Sequence, residues 1–253
     1  KEMENGIRQS LAKEKELSQL RSNFISTASH EFRTPLTIIS SSSSILENYS
    51  DRLTEDKKNN HLQRIQSSVN HMVNLLDDVL TVNRAEVNKL DFNPEIVDLV
   101  TFCQNIIEEI QMSTKEHSIS FFAVSNNLDE TDLKSLNIRC DVKLMRQIIT
   151  NLLSNAIKYT PDGGMIYLWL MQQDNNAVLK VQDHGIGIPI DDQMKLFDSF
   201  YRARNVGNIS GTGLGLAIVK KCVDLHNGAI EIESKINEGT TFTVISRKAL
   251  AFL

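Results

Sequence analysis

Proline is scarce in this chain and cysteine scarcer, with four prolines and three cysteines in 253 residues. Only Pro35 falls within the first 90 positions, which permits long helices there. Cys103, Cys140 and Cys222 are odd in number and far apart. They match no zinc-ligand spacing and no disulfide framework, so a reducing cytoplasm is the expected setting and small buried hydrophobes the expected role. No run approaches the roughly 20 apolar residues that span a bilayer. The chain does not begin with Met, and no secretory leader is visible. It reads as a soluble piece of a longer protein, with a membrane anchor elsewhere in that parent left open. Positive charge is not in excess either: 27 Lys and Arg against 32 Asp and Glu give a net charge of -5, which argues against nucleic acid as the main partner. What is present, 41% hydrophobic and 23% charged residues, is an ordinary globular composition sized for one or two domains.

Residues 1 to about 48 read as continuous helix. Leu17, Leu20, Phe24 and Thr27 keep a coiled-coil spacing, although Ile7 and Leu11 do not continue that register. Within the helix stands Ser29-His30-Glu31-Phe32-Arg33-Thr34-Pro35. Positions i and i+4 share a helix face, so the His30 imidazole and the Thr34 hydroxyl point the same way with the Glu31 carboxylate beside them. That arrangement suits a nucleophilic nitrogen with a base at hand, and Pro35 is placed to kink the helix just past it. A lone histidine on a helix is by itself most often a solvated side chain. Five consecutive serines, Ser40 to Ser44, fit close packing of small side chains. A second helix from about 56 to 88 carries the apolar stripe Leu62, Ile65, Val69, Met72, Val73, Leu76, Val79 and Leu80. Two helices cannot bury both stripes alone, so a second copy completing a four-helix bundle is expected.

Past Asn93-Pro94 the pattern becomes mixed. Helices are expected near 97–116, over 141–159 and after Thr212. Strands are expected over 119–124, 165–171, 177–181, 229–233 and 240–246, with a hairpin turning at Asp174-Asn175-Asn176. This alternation predicts a two-layer α/β sandwich. Three segments stand out: Asn151-Leu152-Leu153-Ser154-Asn155-Ala156-Ile157-Lys158-Tyr159, Asp183-His184-Gly185-Ile186-Gly187, and Gly211-Thr212-Gly213-Leu214-Gly215. Asn151 and Asn155 are i and i+4 on one helix face, and neutral amide oxygens can ligate Mg²⁺. A carboxylate such as Asp183 can accept from an amino group, and glycines let backbone approach a ring. Glycines before a helix start offer backbone N–H groups to an anion. Leu196-Phe197-Asp198-Ser199-Phe200-Tyr201-Arg202 places two aromatics at helical spacing, as core, before an arginine.

Together and in this order, these segments resemble the sensor histidine kinases of two-component systems, over nearly the whole chain. The resemblance implies the ATP-binding sandwich shared by histidine kinases, gyrase-type ATPases, Hsp90-type chaperones and MutL-type repair proteins. It divides the chain into a signalling helix (1–22), a dimerisation and histidine-phosphotransfer region (23–90), a linker (91–96), a catalytic ATP-binding domain (97–248) and a tail (249–253). It implies ATP and Mg²⁺, with His30 as the phosphorylated nucleophile, Glu31 managing its proton, and Thr34 tied to the reverse, regulator-dephosphorylating activity. Asn155 would hold Mg²⁺, with Asn151, Lys158 and Tyr159 lining the nucleotide. Asp183 would select adenine, with Gly185 and Gly187 beside it. Gly211, Thr212, Gly213, Leu214 and Gly215 would embrace the triphosphate. Arg202 would reach toward the γ-phosphate, with Arg204 a weaker candidate, and residues 203–210 would form a lid. His184 stands where the family usually has Asn. The implied partners are a second copy, a response-regulator receiver domain and a sensing domain upstream. Two other functions compete: an ATP-binding signalling scaffold without autokinase activity, and an ATPase that activates water with a glutamate, although Asn151 lies in the segment where that glutamate is expected and the His30 helix would then have no purpose.

Overall fold

The computed structural model describes residues 14, 28–29, 31–86, 91–114, 116–125, 133–161, 163–173, 176–207, 209 and 211–246, with backbone only over 82–86. His30, the seam from Leu17 to Thr27, the turn at Asp174-Asn175 and the tail 249–253 lie outside the described residues. The chain forms two compact units, Lys1–Val87 with Ser210–Leu214, and Asn88–Ile209 with Gly215–Leu253.

In the first unit, helix α1 covers 31–49, a 3-10 turn follows at Ser50–Arg52, and helix α2 spans Glu55–Glu86. Glu55 and Asp56 sit in the first turn of α2, where negative charge complements the helix dipole. Of the five serines only Ser42 is buried. Leu75 is buried on α2, whereas Leu62, Val69, Val73, Leu76 and Leu80 remain exposed, and so does Leu36 on α1. No helix among the described residues is long and apolar enough to cross a membrane.

The second unit is an α/β sandwich. Strands β2 (His117–Ser125), β4 (Gly164–Gln173), β5 (Asn176–Asp183), β7 (Gly239–Ser246) and β6 (Ala229–Lys235) form one sheet in the order β2-β4-β5-β7-β6. The β2·β4 pair is parallel and the others antiparallel. Helices α3 (Leu99–Ser113), α4 (Val142–Tyr159) and α6 (Gly215–Leu225) pack against the sheet. Alternation in β4 sends Ile166, Leu168 and Leu170 into the core, where they meet a layer holding Ile106, Ile148, Ile149, Leu152, Leu153 and Ile218. Tyr167 and Trp169 alternate to the other side. The three cysteines are fully buried and unpaired by disulfides, as expected.

Several expectations need correction. A small antiparallel ladder of β1 (Glu95–Asp98) and β3 (Asn137–Cys140) runs through what the sequence reads as the end of a linker. The helix expected over 97–116 is shorter because Asp98 caps it, accepting from Val100 N at 3.2 Å. Phe197 and Phe200 do not ride a helix. A one-turn helix, α5 (Ile190–Gln193), gives way to turns, and both rings are half-buried.

Candidate active site

Asp183 closes β5 opposite Thr240 of β7. Its carboxylate is buried, and Oδ1 accepts from the backbone N–H groups of Gly185 at 2.9 Å and Thr240 at 3.2 Å. No donor among the described residues reaches Oδ2. Burial pushes the carboxyl above its ordinary value, against the two N–H donors and the nearby His184. The following loop is pressed onto backbone. A Cβ on Gly185 would stand 2.1 Å from Tyr159 O, and one on Gly187, at φ +63°, would stand 2.0 Å from Lys235 O. Only glycine fits either place. The result is a rigid cradle around a carboxylate oxygen open to a donor.

Helix α4 brings the amides. Asp141 caps it, accepting from Lys143 N at 3.0 Å and Leu144 N at 3.1 Å, and the apolar face of Leu144, Ile148 and Leu152 is buried. This leaves Asn151 and Asn155 half-buried on another face. Asn151 Nδ2 donates to Gln147 O at 3.0 Å, and its Oδ1 would lie 2.9 Å from a Cβ on Gly215, the first residue of α6. The start of α6 is therefore close against this amide face, with Asn155 Nδ2 4.0 Å from the same point. Lys158 Nζ stands 4.9 Å over the Tyr159 ring, a cation–π contact.

Arg202 donates through Nη2 to Ile209 O, while its buried Nε has no acceptor among the described residues. Arg204 behaves differently from expectation. Its guanidinium is engaged by Asp192 at 3.0 Å and Asp191 at 3.2 Å, so it is not available to a phosphate as it stands. Of the segment expected as a lid, Arg204 and Asn205 are held by hydrogen bonds. Arg204 N donates to Asp192 Oδ2 at 2.8 Å and Asn205 Nδ2 donates to Gly187 O at 2.8 Å.

In the first unit, Glu31 is buried and its Oε1 accepts from Gly211 N at 3.1 Å. Thr34 is exposed one turn on. Thr212 Oγ1 accepts from Leu214 N at 3.3 Å, Leu214 is buried, and Gly213 takes φ +73°.

Sequence reasoning passed over two residues that shape the site. Thr240 supplies half of the hold on Asp183, and its hydroxyl lies 2.8 Å from Ser234 Oγ; the Gly239-Thr240 pair at a hairpin was the available sign. Asp192 is 1% exposed between the exposed Asp191 and the half-buried Gln193, with no local pattern to mark it.

The residues fit an adenine nucleotide. Among the described residues Asp183 Oδ2 faces no donor and Arg202 keeps a buried donor unspent, and the glycine loop has room for no side chain. Asn155 has no hydrogen-bond partner among the described residues, which suits an oxygen awaiting Mg²⁺.

Comparison with known proteins adds the following. The model of the histidine kinase-, DNA gyrase B-, and HSP90-like ATPase family matches residues 140–249, and that of the His Kinase A (phospho-acceptor) domain matches residues 20–88. The sensor histidine kinase WalK of Bacillus subtilis is 34% identical over 239 residues, 92% of this chain and 38% of the relative. The circadian input-output histidine kinase CikA of Synechococcus elongatus is 33% identical over 229 residues, 88% of this chain and 29% of the relative. The chain thus spans about a third of the length of these relatives. Among solved structures, full-length ShkA in complex with AMPPNP superposes with a TM-score of 0.62 at 26% identity, over 93% of this chain and 47% of that one. The mycobacterial sensor histidine kinase MprB does so with a TM-score of 0.52 at 26% identity, over 61% of this chain and 97% of that one.

Proposed function

This chain belongs to the sensor histidine kinases of two-component systems, and we propose that it transfers the γ-phosphoryl group of ATP to its own His30 and then to an aspartate of a response-regulator receiver domain. The observation that carries the reading is the Asp183 cradle. A buried carboxylate with Oδ1 pinned by two backbone N–H groups and Oδ2 left open accepts a hydrogen bond from an exocyclic amino group and repels a carbonyl. Adenine offers the first and guanine the second.

His30 attacks the γ-phosphorus through an unprotonated ring nitrogen. The N–P bond forms as the bond from phosphorus to the β,γ-bridging oxygen breaks, and ADP leaves. The ring then sheds its other N–H proton. Glu31 follows His30 directly, and with Oε1 taken by Gly211 N–H its Oε2 remains for that proton. Asn155 would hold Mg²⁺, and the ion would supply neutralisation of phosphate charge. Asn151 supports the face from which Asn155 acts, and Lys158 and Tyr159 form a cationic and aromatic wall beside it. Arg202 offers its unspent Nε–H to the transferring phosphoryl group. Thr34, four residues past His30 in sequence, orients water for the reverse, dephosphorylating activity.

A second copy covers the exposed leucines and valines of α2, completing a four-helix bundle. Sensing belongs to a further part of the parent protein. The test is incubation with γ-labelled ATP and Mg²⁺. Label on the protein is expected from the native sequence, and neither His30→Gln nor Asn155→Ala should carry it. Release of phosphate without protein label would favour a plain ATPase, and nucleotide binding with neither product would favour a scaffold.

A further inference from the structure

The carboxylate of Asp192 is 1% exposed and accepts three hydrogen bonds. The Tyr201 hydroxyl donates to Oδ1 at 2.9 Å, Arg204 Nε donates to Oδ1 at 3.0 Å, and the Arg204 backbone N–H donates to Oδ2 at 2.8 Å. Tyr201 and Arg204 lie on either side of Arg202 and the buried Ala203. The chain enters this stretch through Phe200 at φ +71°, a left-handed conformation that a bulky residue keeps only where its surroundings fix it. It leaves through Asn205, whose Nδ2 is bound to Gly187 O, in the loop that follows Asp183. Among the described residues Arg202 itself is attached only through Nη2, to Ile209 O, and its buried Nε has no acceptor.

We propose that Asp192 is a positioning residue for phosphoryl transfer: by clamping Tyr201 and Arg204 it fixes the backbone from which Arg202 presents its guanidinium. The inference rests on the reading of Arg202 as a ligand of the transferring phosphoryl group. Asp192 touches no substrate in this role. Its exposed neighbour Asp191 adds only the outer contact to Arg204, at 3.2 Å between two largely solvated groups. A clamp of this kind acts on geometry at the moment of transfer, when a misplacement of about 1 Å costs about a hundredfold in rate. Nucleotide affinity, carried by the Asp183 cradle, is set elsewhere.

A double-mutant cycle in the whole chain tests this. Asp192→Asn, Arg202→Ala and the double variant are compared for phosphate incorporation at saturating γ-labelled ATP, for ATP affinity by displacement of a fluorescent analogue, and for thermal melting. The expected result is a loss of about tenfold or more in turnover for each single variant. ATP affinity should stay within about threefold, and the double variant should be no slower than Arg202→Ala alone. If Arg202→Ala is slow and Asp192→Asn is not, or if the two losses multiply, the positioning role is overturned while Arg202 keeps its part. If Arg202→Ala turns over as the native chain does, the reading of Arg202 itself falls, and this inference with it. Should Asp192→Asn not fold, Tyr201→Phe removes one of the three bonds and leaves the carboxylate in place. It should slow turnover by a smaller factor, again with no further loss on top of Arg202→Ala, and native turnover in that variant would overturn the proposal.

Discussion

Replacing Asp183 by Asn alters one atom of the nucleotide cradle and leaves its frame. Asn Oδ1 can still accept from Gly185 N–H and Thr240 N–H, so the loop and the β5·β7 pairing have no reason to move. Oδ2, an acceptor facing no donor among the described residues, becomes an NH₂ group. An adenine amino group then meets a donor instead of a charged acceptor. A hydrogen bond to a charged group contributes about 1.5–3 kcal/mol. At about 1.4 kcal/mol per decade, ATP affinity should fall by one to two orders of magnitude. Stability should hardly change. The folded-state carboxyl is raised above its ordinary value, first by burial, so ionising it costs stability as pH rises through that window. Removing the charge therefore offsets the weaker, neutral hydrogen bonds, and the melting temperature should move by less than about 3 °C. The new NH₂ group can donate to a guanine carbonyl, so the preference for ATP over GTP should collapse toward parity. Calorimetric titration with ATP and with GTP, beside a thermal melt, measures all three. Undiminished ATP affinity, or a fall matched by a large loss of stability, would refute the reasoning.

Other consequences are independent of the nucleotide. The Asp192 carboxyl is held below its ordinary value, first by the Arg204 backbone N–H against the effect of burial, then by the Tyr201 hydroxyl and the Arg204 guanidinium. Its stabilising contribution is complete above the unfolded-state pKa and is lost as pH falls through the folded one. Asp192→Asn should thus lower the melting temperature at neutral pH and converge with the native chain in acid; a constant gap would contradict this. Burial pushes each of the thiols of Cys103, Cys140 and Cys222 up to about 12. At pH 8 only about one in ten thousand is thiolate, so a disulfide reagent should titrate none in the folded chain and three in denaturant. Buried His226 accepts from Asp141 N through Nε2 at 3.0 Å and bonds Cys222 O through Nδ1 at 2.7 Å. His226→Leu strands that N–H at the start of α4 and should cost about 1–3 kcal/mol in denaturant unfolding, whereas an unchanged midpoint would mean that the bond contributes nothing.

The parts of this molecule legible in its sequence are those with a short period or a local reason. The i, i+4 spacing of Asn151 and Asn155 put both on one face of α4, and the short apolar runs 165–171 and 177–181 marked the strands β4 and β5. Gly185 and Gly187 announced a tight backbone approach, although not that Tyr159 O and Lys235 O would be what they press upon. What stayed hidden depends on pairing across distance. The strands β1 and β3 have four residues each, too few for a periodic signal, and each is defined by the other. Glu31 and Gly211 are 180 positions apart, and nothing local to either tells of the bond. Arg204 looked like a second phosphate ligand because a sequence shows a charge and not its partner; Asp191 and Asp192 had already claimed it. Phe197 and Phe200 kept helical spacing, yet the clamp on Tyr201 fits a left-handed Phe200 in place of a helix.

The central claim is that this chain phosphorylates His30. Incubating it with γ-labelled ATP and Mg²⁺, then exposing the labelled protein to acid and to alkali, tests that claim most directly. The account predicts label that is lost in acid, survives alkali and is absent from His30→Gln, with ATP binding of that variant intact. Equal labelling of His30→Gln, or label that survives acid, would contradict it.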